Sequence, residues 1–278
     1  MHKGSHDLAR RAVKFQLLGL SFREYLELGH GFKFPSYTLK ELTLYHERIA
    51  SEIINDIEAR NQKILPLFNR YLDCGYYPYY FELPNEEHYF LTLEQNLHTT
   101  IESDIPAIYP HLTGVSIGKM KQLLHFIAKS VPFTPNWNHI KEALDIGDVR
   151  TLKTYFQYME DAFLIRSVKK GNHKLDHIHS SGKVYLDNPN QMQALSPENQ
   201  NSGTKRELFF LDMLSSCHQI TVPLSGDFLV DGHFVFEIGG RNKKFNQIKN
   251  EKTAFLANDS IEVGIGNKLP LWLLGFLY

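Results

Sequence analysis

The sequence predicts an α+β fold, a helical region followed by a small domain that mixes helix and strand. Three observations lead there. Apolar residues recur at three- and four-residue steps in the first half, as at Leu39, Leu42, Tyr45, Ile49, Ile53 and Ile57. Short apolar runs at 219–223, 227–230 and 233–238 have the length and punctuation of strands. Between the two regions lies 188–204, rich in Asn, Gln, Ser and Pro, which reads as a linker. The chain has 278 residues, enough for two domains of ordinary size.

The elements follow in order. Residues 1–34 open with Ala9-Arg10-Arg11-Ala12-Val13-Lys14 and continue into a helix for which Ser21 is the N-cap and Glu24 the capping-box partner. The spacing predicts helices over 38–60 and 64–74, the second stopped by Gly75. An aromatic turn, Gly75-Tyr76-Tyr77-Pro78-Tyr79-Tyr80, precedes a helix over 89–100. Three shorter helices are expected over 117–130, 137–144 and 149–161, then two strands over 163–168 and 183–186. Three helices and a β-ribbon are the chain order of a winged helix-turn-helix. After 188–204, a helix is expected over 205–215, then the three strands, a helix over 245–255, and closing strands at 261–264 and 272–277. The divisions are thus 1–34, a helical region 35–187, a linker 188–204 and a small α/β domain 205–278.

Composition narrows the function classes. Apolar residues make up 42% and charged residues 22%, with a formal net charge of −1. A nucleic-acid surface would therefore be a local patch. The expected location is cytoplasmic, with no membrane partner, since no apolar run is long enough to span a bilayer, the start lacks a signal-peptide core, and Cys74 and Cys217 are too few for a disulfide framework.

The chemistry concentrates near the carboxyl terminus. Glu207 sits on the expected helix, Asp227 or Asp231 on a hairpin, and Glu237 on the next strand, followed by a basic turn containing Arg241, Lys243 and Lys244. Acids in that order outline a PD-(D/E)xK core, the restriction-endonuclease fold, in which two carboxylates (here Asp227 and Glu237) bind Mg²⁺ and a lysine positions or activates water. Two residues after Glu237, where that lysine belongs, stands Gly239. A lysine displaced to 241–244 is conceivable, and Gln247 is placed like a glutamine sometimes seen in this fold. The missing lysine weighs against catalysis, so Mg²⁺ is expected only if the site is active.

The chain resembles a family of bacterial and archaeal ATP-binding proteins that join an AAA-type ATPase domain to a winged helix and a nuclease-like carboxyl-terminal domain. The resemblance rests on words in register along nearly the whole chain: Gly19-Leu20-Ser21-Phe22-Arg23-Glu24-Tyr25-Leu26, Gly75-Tyr76-Tyr77-Pro78, Asp104-Ile105-Pro106-Ala107, Pro132-Phe133-Thr134-Pro135-Asn136, Lys183-Val184-Tyr185-Leu186-Asp187-Asn188, Arg206-Glu207-Leu208-Phe209-Phe210, Phe236-Glu237-Ile238-Gly239-Gly240 and Pro270-Leu271-Trp272-Leu273-Leu274-Gly275-Phe276-Leu277-Tyr278. The family's phosphate-binding G-x-x-x-x-G-K-[ST] loop is missing from the sequence. The resemblance therefore implies the tail of a split or truncated ATPase, with 1–34 the end of its ATPase domain. Arg10 and Arg11 resemble the paired arginines that close that domain, a remnant of an arginine finger.

The expected winged helix offers Arg150 and Lys153 on its third helix and Arg166, Lys169 and Lys170 on its wing, groups able to neutralise phosphates. The same face could equally dock within the molecule. His173, Asp176, His177 and His179 include zinc-ligand types, but no cysteine joins them and a polar loop explains them better. The leading expectation is a non-catalytic accessory part that binds DNA, or a partner such as a separately encoded ATPase domain. The alternative is a metal-dependent DNA hydrolase.

Overall fold

The computed structural model of the chain describes residues 17–171, 182–198, 201–249, 251 and 253–278, and its architecture is α+β. Helix α1 (Phe22–His30) starts as its sequence dictates. Ser21 Oγ accepts from the Glu24 amide and the Glu24 carboxylate accepts from the Ser21 amide at 2.9 Å. Such a closed capping box stabilises a helix start by about 1 kcal/mol. The inner face of α1, Phe22, Tyr25 and Leu26, is buried against Phe68, Tyr71 and Phe276.

Helices α2 (Leu39–Glu58), opened by a second capping box at Thr38 and Glu41, and α3 (Ile64–Cys74) follow. The aromatic turn becomes a 3₁₀ turn, Pro78–Glu82, before α4 (Glu86–Thr99). Its rings pack on one another and on Tyr25 and Tyr89, so they fill space between helices. A π-helical turn (Thr100–Asp104) leads into the short α5 (Ile105–Ile108).

Three helices then run in sequence, α6 (Gly114–Ser130), α7 (Trp137–Ala143) and α8 (Val149–Asp161), each capped by a side chain: Thr113, Asn136 and Asp148. An antiparallel ribbon follows, β1 (Ile165–Val168) and β2 (Lys183–Leu186), with Ile165 opposite Leu186 and Val168 opposite Lys183. The ribbon is tied down. Beyond β1, Val222 N donates to Lys169 O at 2.8 Å and Gly171 N to Val222 O at 3.0 Å. Val222 directly follows β3 (Ile220–Thr221), the first strand of the carboxyl-terminal sheet.

The expected linker is a correction. Helix α9 (Pro189–Leu195) lies inside the molecule, with Asn188, Asn190 and Gln191 at most 1% exposed. The Asn190 carboxamide accepts from Tyr76 N (2.9 Å) and Tyr89 OH (2.6 Å) and donates to Leu72 O (3.0 Å) and Tyr71 O (3.3 Å). The polar residues that suggested solvent serve instead as internal hydrogen-bonding groups.

Helix α10 (Ser202–Ser215) places Phe210 against Phe228 and Phe236 of the sheet and Phe209 against Phe68 of the helical region. The sheet order is β3-β4-β5-β6-β7, with β4 (Phe228–Val230), β5 (Phe234–Gly239), β6 (Ala254–Asn258) and β7 (Lys268–Pro270). Pairing is antiparallel from β3 to β5 and parallel from β5 to β7. Three further expectations are corrected here. The helix over 245–255 is one 3₁₀ turn (Phe245–Gln247) followed, from Ala254, by β6. The 261–264 strand is a bend, and the 272–277 strand is the 3₁₀ turn Leu271–Phe276. Short apolar runs without alternation do not distinguish strand from buried helix, and Leu271, Trp272, Leu273 and Leu274 are all buried. One core cluster extends from Phe22 to Phe276 and draws on both regions. Among the described residues no helix is long and apolar enough to cross a membrane.

Candidate functional site

Asp227 lies one step beyond the last paired residues of β4 and β5, Phe228 and Phe236, so it stands opposite Glu237. Its amide donates to Phe236 O at 2.9 Å and its Oδ2 accepts from Ile238 N at 2.7 Å, which fixes the carboxylate against the edge of β5. Gly226 before it has φ +94°, a conformation that favours glycine. Glu237 points to the same side, and its side chain is 2% exposed. Glu207 approaches from α10. Asp231, the alternative on the hairpin, is instead held in the turn by His218 (2.6 Å) and the Gln219 amide (2.9 Å).

The acids share one electrostatic neighbourhood. Burial raises the Glu207 and Glu237 pKa values, and the charge of Asp227 raises both further. Lysines and hydroxyls offset this. Lys243 Nζ lies 2.5 Å from Glu237 Oε1. With its nitrogen towards Glu237, the Gln247 amide donates to both carboxylate oxygens, 3.1 Å from Oε2. Tyr185 OH donates to Glu207 Oε2 at 2.6 Å, and Lys183 Nζ lies 3.6 Å from the same oxygen. Its bond to Glu237 raises the Lys243 pKa, aided by the charges of Asp227 and Glu207.

Gly239 explains how Lys243 reaches this place. A Cβ at 239 would sit 2.5 to 2.9 Å from Cγ, Cβ and Cδ of Lys243. The stem of Lys243 therefore lies across the glycine, and its ammonium arrives at Glu237 from four residues further along the chain.

Tyr185 and Lys183 were not anticipated in the site. Both come from β2, two residues apart and therefore on one face of the strand. That alternation was visible in the sequence, but nothing local indicated that the ribbon turns this face to α10.

The donor set suits a hard cation. Mg²⁺ takes oxygen ligands, needs one or two carboxylates and retains several waters. Asp227 and Glu237 meet that requirement by chemistry. Among the described residues no three His, Cys, Asp or Glu side chains gather closely enough to hold a metal ion, Glu207 being engaged with Tyr185 and Lys183.

The residues expected to face DNA separate. Arg150 is exposed on α8, and Lys153 lies over the Trp137 ring at 5.2 Å. Lys169 and Lys170 are exposed, although their backbone is pinned to the chain after β3. Arg166 is a correction. It turns inward to Asp187 (2.9 Å) and Asp212 (3.6 Å), because two buried carboxylates need a cation. Arg10, Arg11 and the group His173, Asp176, His177 and His179 lie outside the described residues.

Residues 65–201 match a domain of unknown function, DUF8612. The match takes in the helical region from α3 onward, the ribbon and α9. It includes Lys183 and Tyr185 and stops before Glu207. No curated protein and no solved structure matches the chain.

Proposed function

We propose that the cluster of Glu207, Asp227, Glu237 and Lys243 is a divalent-cation-dependent site for phosphodiester cleavage in nucleic acid, of the PD-(D/E)xK type. The observation that carries this reading is the path of Lys243 across Gly239 to Glu237. It supplies a lysine where the linear motif lacks one. Asp227 and Glu237 would hold Mg²⁺, which supplies electrophilic activation of a phosphoryl oxygen. Lys243 keeps its proton at neutral pH, since its pKa is raised. It therefore acts as a charge that orients water and stabilises the pentavalent phosphorus, not as a general base. Gln247 and the Glu207–Tyr185 bond position the carboxylates and do not touch substrate.

The test is incubation of the purified protein with supercoiled plasmid and Mg²⁺ or Mn²⁺. Nicking or linearisation is expected, falling by at least two orders of magnitude in Lys243→Ala and in Asp227→Asn. Cleavage that persists unchanged in both variants, or none with either metal, refutes the reading.

A second reading is favoured by the charge balance of the same cluster, in which each glutamate already has a lysine. Here the domain is a nuclease-derived scaffold in a non-catalytic part of an AAA-type ATP-binding protein, as the family resemblance implies. Contacts to DNA would fall to Arg150, Lys169 and Lys170. Salt-dependent gel retardation without cleavage supports it.

A further inference from the structure

Lys183 reaches the acid–lysine cluster from outside the carboxyl-terminal sheet. It belongs to β2, yet its ammonium lies 3.6 Å from Glu207 Oε2. That separation is longer than a hydrogen bond. Glu207 does not depend on it, because the same oxygen accepts from Tyr185 OH at 2.6 Å. An ammonium carries three N–H donors, so Lys183 has donors to spare for a ligand.

The ammonium is also accessible. The Lys183 side chain is 30% exposed, against 17% for Glu207, so it is the outer member of the pair. Its root is fixed. Val184 N donates to Phe133 O at 2.8 Å, Phe133 N donates back to Val184 O at 3.4 Å, and Tyr185 is fully buried. The backbone is thus already placed, and a ligand has only the side chain to order.

Charge then selects the ligand. Burial raises the Glu237 pKa and the Lys183 charge is among those that oppose the rise, so this ammonium acts on Glu237 as well as on Glu207. Three carboxylates, Glu207, Asp227 and Glu237, face two ammonium groups, Lys183 and Lys243, a balance that attracts a cation. A divalent cation at Asp227 and Glu237 reverses the sign and leaves the lysines as the outer positive groups. A second metal ion beside Lys183 would be repelled. A phosphate oxygen would be attracted, and lysine serves phosphate as a point charge.

We propose, on the basis of the cleavage reading, that Lys183 grips a backbone phosphate of bound duplex DNA, so that the ribbon supplies substrate binding to a site whose acids lie on α10, beside β4 and on β5. Lys183 lies within 65–201, so the matched domain of unknown function takes part in the site. Lys183 acts on binding, whereas Lys243 acts on the chemical step.

Fluorescence anisotropy of a labelled DNA duplex titrated with the full chain, with Ca²⁺ in place of Mg²⁺ and over a series of salt concentrations, tests this contact. Lys183→Gln should weaken binding by about tenfold. It should also flatten the slope of log affinity against log salt by about 0.9, the loss of one phosphate contact, which a merely structural role would not do. Lys183→Arg should keep the parent slope, and Lys40→Gln, exposed on α2, should match the parent in both respects. Lys183→Met carries the same expectation as Lys183→Gln and decides the matter if the latter fails to fold. In plasmid cleavage with Mg²⁺, Lys183→Gln should raise KM with kcat changed less than about threefold. A parent that cleaves, with the slope unchanged in Lys183→Gln or in Lys183→Met in its place, overturns the proposal and leaves the cleavage reading standing. A slope that flattens although the parent does not cleave overturns the cleavage reading alone. A parent that binds no DNA overturns both.

Discussion

Replacing Asn190 with leucine tests the internal role of α9. The two side chains are close in size, so little cavity forms. The leucine removes the acceptor of Tyr76 N and Tyr89 OH and the donor to Leu72 O. Each buried group left unpaired costs about 1–3 kcal/mol. Three independent losses would sum to about 3–9 kcal/mol, and because they share one residue and can relax together the lower end, about 3 kcal/mol, is expected. That is a large part of the roughly 5–15 kcal/mol typical of a folded domain. Urea unfolding followed by far-UV circular dichroism measures it, with the slope of the transition checked for constancy. A double-mutant cycle with Tyr89→Phe should show coupling of at least about 0.5 kcal/mol, because removing the hydroxyl removes one of the orphans. A loss below about 1 kcal/mol in Asn190→Leu would refute the reasoning and return 188–204 to the status of a linker.

Arg166→Met should destabilise by about 3–5 kcal/mol in the same assay, since it strands Asp187 and Asp212, whereas Arg150→Met should stay within about 0.5 kcal/mol. Gly239→Ala should destabilise by about 1–3 kcal/mol, because Lys243 Cβ, 2.6 Å from the added methyl, is fixed to the backbone and must shift with it, and should displace the Lys243 ammonium from Glu237 and lower plasmid cleavage in parallel. The raised Glu237 pKa has a definite sign: stability from this group is fully present below the unfolded carboxyl pKa and is lost as pH rises through the folded value. Glu237→Gln should therefore gain stability relative to the parent as pH rises above the ordinary glutamate range; a difference flat with pH would show that the carboxyl is not shifted upward.

The α+β class and the helix starts were legible because they are local. Ser21, Thr38, Asn136 and Asp148 cap helices through contacts three residues away, and periodicity sees that distance. The order of Glu207, Asp227 and Glu237 could also be read, since Glu237 stands on β5 and Asp227 immediately precedes its hairpin partner β4. What escaped was set by tertiary position. Lys243 reaches Glu237 only because Gly239 leaves room for its stem, and a linear motif scores that glycine as a defect. Arg166 looks like any basic wing residue until Asp187 and Asp212 are placed beside it. The 188–204 stretch has a linker's composition, and only the unpaired groups around Tyr71, Tyr76 and Tyr89 explain why its amides are inside.

The reach of Tyr185 and Lys183 from β2 to Glu207 has an evolutionary consequence. A chemistry-bearing module that draws two of its partners from a preceding segment cannot be transplanted as a cassette. Grafted alone onto another helical region, 205–278 would keep its acids but lose the groups that balance one of them. Recombination within this architecture is thus expected to preserve ribbon and sheet as a pair, and chimaeras joined between them should express poorly even when each parent is sound.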